Sequence, residues 1–123
     1  MAFCCWLTLV LVVDSFQHGI TVLLINMSNS TTFRVSLVNE MHPDKERGSS
    51  ETDTMREEYH LTPNDGNIQS EVVLLNGTPL KLTQSLHIPE MNPMLVDPSS
   101  TVKVKPNSIV FVHSKSFRAP ACS

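Results

Sequence analysis

The dipeptide Asn76-Gly77, set between Val72-Val73-Leu74-Leu75 and Leu80-Lys81-Leu82, constrains this chain more than any other feature. Asn-Gly readily takes the two successive positive φ values of a type I′ turn, so the flanking apolar runs read as the arms of a β-hairpin. The rest of the chain fits a sheet as well. Ile20-Thr21-Val22-Leu23-Leu24-Ile25 is short, apolar and rich in β-branched residues, which suits a buried strand better than a helix. Phe33, Val35 and Leu37 alternate with Arg34 and Ser36, the pattern of a half-buried strand. A β pattern resumes around Tyr59 and Leu61 and ends at the turn Pro63-Asn64-Asp65-Gly66. Val102 and Val104 alternate with Lys103 and Lys105, which should line a solvent-facing side. Ile109-Val110-Phe111-Val112 reads as a central strand.

Between these runs, Glu40–Thr54 has no helical or strand period and is expected to be a long exposed loop. Ile88–Pro98, with Pro89, Pro93 and Pro98, should cross the surface in extended form. About seven short strands with turn signals every 8–12 residues or so predict an all-β fold, a small antiparallel β-sandwich. At 123 residues the chain suits one small domain.

The apolar run Ala2–Val13 is too short to cross a bilayer as a helix, and its length suits a signal-peptide core. No Lys or Arg precedes it, so two readings stay open: a signal peptide, or a stray hydrophobic stretch at the start of a truncated chain. Either way residues 1–18 are expected to lie outside the sandwich, which would occupy residues 19–123. Asn26-Met27-Ser28, Asn29-Ser30-Thr31 and Asn76-Gly77-Thr78 are N-glycosylation tripeptides, and together they lean toward a secretory history.

A net charge of −3 with scattered Lys and Arg argues against a nucleic-acid partner, which needs a clustered basic footprint. Cys4, Cys5 and Cys122 allow one disulfide at most. Adjacent cysteines rarely bridge each other; a Cys4–Cys122 or Cys5–Cys122 disulfide is conceivable, and nothing in the residues themselves demands it. His18, His42, His60, His87 and His113 lack any zinc-site spacing, and each is expected to be a lone surface histidine. No metal site and no cofactor is expected, since the glycines are too dispersed for a phosphate loop. Trp6 lies in the leader-like segment and Tyr59 stands alone, so no aromatic platform for stacking sugars is expected. Glu57 and Glu58 are consecutive in a strand and should point to opposite faces, while Glu71 and Glu90 read as surface charges.

Four stretches, GITVLLINMSNSTTFRV, REEYHLTPNDG, VVLLNGTPLKL, and IVFV followed by FRAPAC, are ordinary β motifs one by one. Their order, spacing and closing Ala-Pro-Ala-Cys resemble the C-terminal domain of plant heparanase-like proteins, retaining glycosidases of glycoside hydrolase family 79. The resemblance runs from about Gly19 to Cys122 and implies a β-sandwich that packs on a catalytic barrel. It implies a parent activity on O-glycosyl bonds of glucuronide-containing glycans, carried by two glutamates of the barrel about 5–5.5 Å apart. The family's acid/base glutamate follows an asparagine. Asn39-Glu40 mimics that pair, yet no barrel sequence is present to supply the opposing glutamate, so Glu40 is read as a solvated residue opening a loop.

No catalytic residue is therefore carried over. The resemblance also implies a cysteine before the first strand, bonded to the C-terminal one; that place falls near Asp14, so Cys122 is expected to have lost its usual partner. The expectation is a truncated heparanase-like hydrolase reduced to its non-catalytic β-domain, secreted or endomembrane by resemblance. Its barrel-facing surface would be exposed and prone to self-association. The alternative is a secreted β-domain that binds a glycan or another partner without hydrolase activity.

Overall fold

The computed structural model describes residues 7–13, 19–38 and 55–115. These residues form nine strands: β1 (Leu7–Val13), β2 (Ile20–Asn26), β3 (Phe33–Val35), β4 (Arg56–Pro63), β5 (Val73–Leu75), β6 (Thr78–Pro79), β7 (Met94–Val96), β8 (Val102–Val104) and β9 (Ser108–Ser114). All pairings are antiparallel. A seven-stranded sheet runs β1-β2-β9-β4-β5-β6, with β7 also pairing β4, and a two-stranded sheet, β3-β8, makes the second layer. The β-sandwich expected from the sequence is the fold observed.

The core sits between these layers. Antiparallel register places Val22 opposite Val112 and Leu24 opposite Val110, so their side chains share one face. Ile20, Val22, Leu24, Val110 and Val112 are buried there against Val102 and Val104 of β8, and Leu7, Phe33, Val35 and Leu37 pack round them. Lys103, between the two buried valines, is exposed as the alternation requires. At one end of this face the buried Asn26 closes the sandwich. Its Nδ2 donates to the carbonyls of Thr31 (2.8 Å), Val104 (3.2 Å) and Lys105 (2.9 Å), and its Oδ1 accepts the N–H of Ser28 (2.9 Å).

The local turn chemistry follows the sequence. Asn76 (φ 49°) and Gly77 (φ 85°) take the two positive values, joining β5 to β6 with Leu75 opposite Thr78. The return arm is shorter than the apolar run Leu80-Lys81-Leu82 suggests. After Leu80 N–H reaches the Val73 carbonyl at 2.8 Å, the chain leaves the sheet, and Pro79 has no N–H to extend the ladder. The turn after β4 forms a short 3-10 turn at Asn64–Gly66, with Asp65 and Gly66 in the left-handed region.

One segment differs from expectation, and a second, extended as expected, also pairs. Leu7–Val13 does not lie outside the sandwich: it pairs with β2 along its whole length, from Leu7 opposite Asn26 to Val13 opposite Ile20. An apolar strand of matching length satisfies the backbone edge that β2 would otherwise leave open. Within the proline-rich 88–98 segment, Met94–Val96 becomes β7, pairing with Arg56–Glu58 between Pro93 and Pro98. The segment expected to be a loop, Glu40–Thr54, lies outside the described residues.

Gly19 precedes β2 with φ 145°, and a Cβ there would fall 2.5 Å from the carbonyl oxygen of Ser114. Gly19→Ala therefore combines backbone strain with a clash against main chain, and a loss of more than about 1 kcal/mol is expected in chemical denaturation. An unchanged midpoint would contradict this account of the β2–β9 closure.

Candidate functional site

Strand β4 carries most of the chain's candidate chemistry, and the pleat divides it between two faces. Its pairing with β9 sets Glu58 opposite the buried Val112 and His60 opposite the buried Val110, so Arg56, Glu58 and His60 face the core. Glu57, Tyr59 and Leu61 face the other way, where they line an open groove with Thr21, Phe111 and His113.

On the core side the three polar residues form one network. Arg56 Nε donates to Glu58 Oε2 at 2.7 Å, and Arg56 Nη2 lies 2.7 Å from the same oxygen, outside hydrogen-bond alignment. His60 Nε2 is 2.7 Å from Glu58 Oε1, and Arg56 Nη1 donates to the Pro98 carbonyl at 3.4 Å. Arg56 and Glu58 are each only 2% exposed. Burial pushes the Glu58 carboxyl up, but the hydrogen bonds from His60 and Arg56, with the Arg56 charge, hold it below its ordinary value of 4.5.

Asn76 seals this region from the hairpin turn. The edge of β4 pairs with β7 up to Glu58 and with β5 from Leu61, which leaves a gap between them. Into that gap Asn76 Oδ1 accepts the His60 N–H at 2.9 Å. Its Nδ2 donates to the carbonyls of Glu58 (3.3 Å) and Asn92 (3.2 Å), and its own N–H donates to the His60 carbonyl at 2.9 Å. An ordered partner is supplied where no strand passes.

The outer groove has a volume of about 580 Å³ and is lined mainly by Tyr59, Leu61, Leu75, Met91 and Phe111. Tyr59 and Phe111 are directly opposite in the β4–β9 ladder. A polar edge joins them: the Thr21 hydroxyl and His113 Nδ1 are 3.0 Å apart, and Lys115 Nζ is 3.2 Å from Glu57 Oε1. Burial first, then the neighbouring Glu57 charge, push the Tyr59 phenol above its usual 10.0, with Lys115 partly offsetting them.

This geometry corrects two expectations. His60 is not a lone surface histidine, because the register turns it inward onto Glu58. Tyr59 is not a solitary aromatic, because Phe111 stands beside it on the adjacent strand. His113 also has a partner in Thr21, and His87 lies in an exposed turn with Ser85. Glu57 and Glu58 do point to opposite faces, so they cannot flank one glycosidic bond, and Glu71 and Glu90 are exposed.

Among the described residues no group of three or more His, Cys, Asp or Glu could hold a metal. Of the glycosylation candidates, Asn26 is buried, Asn76 occupies the hairpin turn and Asn29 is exposed between β2 and β3. Cys4, Cys5, Cys122, Trp6, His18, His42 and Asn39-Glu40 lie outside the described residues.

No family model matches the chain. Among curated proteins, it is 37% identical over 128 residues to Heparanase-like protein 2 of Arabidopsis thaliana, a match covering 87% of this chain and 24% of that protein. Heparanase-like protein 3 of the same plant is 37% identical over 122 residues, covering 87% and 23%. Baicalin-beta-D-glucuronidase of Scutellaria baicalensis is 40% identical over 97 residues, covering 79% and 16%. The chain is thus similar to a segment of heparanase-like proteins and of a glucuronidase, and it spans about a quarter or less of the curated relatives it matches.

The buried network generates a pH dependence whose sign is fixed. Because the folded Glu58 carboxyl lies below 4.5, its ionised form favours the fold. Its contribution is complete above about pH 4.5 and is lost as pH falls through the lower folded value. Glu58→Gln leaves Arg56 buried without its counter-charge and is expected to cost about 3–5 kcal/mol near neutral pH. The variant should also show a shallower loss of stability in acid when denaturation midpoints are followed against pH. Parallel acid limbs in the two proteins would show that Glu58 is not the linked group.

Proposed function

We propose that this chain acts as the non-catalytic β-sandwich module of a heparanase-like glycoside hydrolase, docking on the catalytic barrel of that family. The parent activity in this reading is hydrolysis of O-glycosyl bonds in glucuronide-containing glycans, in a secreted or endomembrane setting. The similarity to heparanase-like proteins and a glucuronidase supports the family.

The observation that carries the docking role is the outer face of the seven-stranded sheet. A solvated face of an antiparallel sheet ordinarily carries polar residues opposite a buried apolar side. Here the side away from the β3–β8 layer carries Leu23, Ile25, Ile109, Phe111, Tyr59 and Leu61, from three adjacent strands. Ile109 and Phe111 are each 38% exposed at its centre, in the middle strands of the sheet. Beyond the hairpin, Leu82, Leu86, Ile88 and Met91 are all more than half exposed, and Leu86 holds a left-handed φ of 62°. An apolar face with exposed residues at its centre supports a contact site there. The relatives are about four times longer than the matched segment, which supplies the kind of occupant proposed: another domain of the same protein.

The carboxylate geometry supports a non-catalytic role, since the strand-borne pair is split across the sheet and Glu58 is locked to Arg56 and His60. A second reading, glycan binding without hydrolysis, draws on the Tyr59–Phe111 pair and its polar edge of Glu57, Lys115 and His113. Salt-sensitive retention on a heparin or pectin column, lost in Tyr59→Ala, would favour that reading.

Two results are expected from the purified chain. It should not hydrolyse a fluorogenic β-glucuronide. In sedimentation velocity it should associate as concentration rises, and Phe111→Glu should shift it toward monomer while its circular dichroism is kept. A chain that stays monomeric at all concentrations, or turnover of the glucuronide, contradicts the proposal.

A further inference from the structure

The three Asn-X-Ser/Thr tripeptides all lie among the described residues, and the fold uses their amides differently. Asn26 is 2% exposed, and its Nδ2 faces three backbone carbonyls, those of Thr31, Val104 and Lys105. The hydroxyl of that tripeptide is engaged too: Ser28 is buried and its Oγ accepts the N–H groups of Ser30 (3.3 Å) and Thr31 (3.0 Å). A sugar on Asn26 would replace one of two amide protons and stand where the Val104 and Lys105 carbonyls now lie. Asn76 is constrained in the same way, since Nδ2 bridges the carbonyls of Glu58 and Asn92 while Oδ1 holds the His60 N–H. A sugar there would break one arm of the bridge that fills the gap at the edge of β4.

Asn29 contrasts with both. It is exposed, as are Ser30 and Thr31, in the turn between β2 and β3. No hydrogen bond among the described residues ties its side-chain amide. The turn itself is held from beneath by Asn26 and Ser28, so the Asn29 tripeptide is presented by a fixed base rather than by a frayed end.

We propose that Asn29 is the N-glycosylation site of the folded protein and that Asn26 and Asn76 stay unmodified because their amides are structural. In the reaction, Asn29 Nδ2 attacks the anomeric carbon of a lipid-diphosphate-linked oligosaccharide. The new C–N bond forms as the C–O bond to the diphosphate breaks, one amide proton is lost, and the lipid diphosphate leaves. Because tripeptides meet the transferase before folding is complete, Asn26 is open to attack in the nascent chain. A chain modified there cannot form the Asn26 contacts, and it drops out of the folded population. This inference is independent of the docking face, and its failure would leave that reading intact.

The test is secretion of the full chain from eukaryotic cells behind a cleavable signal, followed by peptide-N-glycosidase F digestion of the soluble folded protein in heavy-oxygen water. Measured against a digestion without enzyme, which accounts for spontaneous deamidation at Asn76-Gly77, the expected result is enzyme-dependent heavy-oxygen aspartate at position 29 and none at 26 or 76, with one step in mass on deglycosylation. Thr31→Ala, which keeps Asn29 itself, should lose that whole step. Enzyme-dependent heavy label at 26 or 76 in the wild-type protein overturns the proposal, as does folded protein that emerges with Asn29 unmodified. The wild-type readout needs no variant, so a folding defect in Asn26→Gln or Asn76→Gln cannot obscure it.

Discussion

The antiparallel pairing of Ile20–Asn26 with Ser108–Ser114 is the constraint on which the rest of the structure depends. It joins segments from near opposite ends of the chain, with Thr21 and His113 separated by 92 positions in sequence. The strand β1 adds to one side of the pair and β4 to the other, while β8 lies across its buried face. Each attached element takes its orientation from this ladder. Once Val22 faces Val112 and Leu24 faces Val110, the pleat determines which side of β4 meets the core. Contacts of such long sequence separation make chain closure costly before it is rewarded, so the capping by Asn26 at one end and the close approach of Gly19 at the other both reinforce the same junction.

The same pleat accounts for the chemistry. Consecutive glutamates on a strand cannot act together, and here one is buried in an ion network while the other borders an open groove. The buried network is structural: Arg56 and Glu58 compensate each other, His60 completes the carboxylate, and Asn76 holds the backbone beside them. Among the described residues, what remains is the opposite surface, where half-buried apolar side chains of β2 and β4 flank the exposed Ile109 and Phe111 of β9 beside a short polar edge. A surface of that kind is what the proposed contact with another domain draws on.

Much of the fold was legible in the sequence because its signals are local. Asn76-Gly77 demands its turn, Pro63-Asn64-Asp65-Gly66 ends its strand, and Val102 and Val104 alternate about Lys103 just as they are buried and exposed. The less legible parts depend on register, which no local pattern encodes. In β4 the residues alternate without naming the buried side, and pairing with β9 turns Arg56, Glu58 and His60 inward and Tyr59 and Leu61 outward. Without that register neither the ion network nor the Tyr59–Phe111 pair can be read from the sequence. In β9 every residue from Ile109 to Val112 is apolar, which revealed a central strand without saying which side lacks cover. For Leu7–Val13, an apolar run that fits a leader also fits an edge strand, and its pairing with β2 depends on a partner that no local pattern names.

Docking of the outer apolar face of the seven-stranded sheet on a heparanase-like catalytic barrel is the proposal that most needs direct proof. Its most direct test is cosedimentation of this chain with a separately produced barrel domain from one of the Arabidopsis relatives, at concentrations where the chain itself is monomeric. The account predicts a one-to-one complex that Phe111→Glu weakens and that a substitution on the opposite exposed surface, Lys103→Glu, leaves intact. A well-folded barrel that forms no complex, or one whose complex is indifferent to Phe111→Glu, would contradict it.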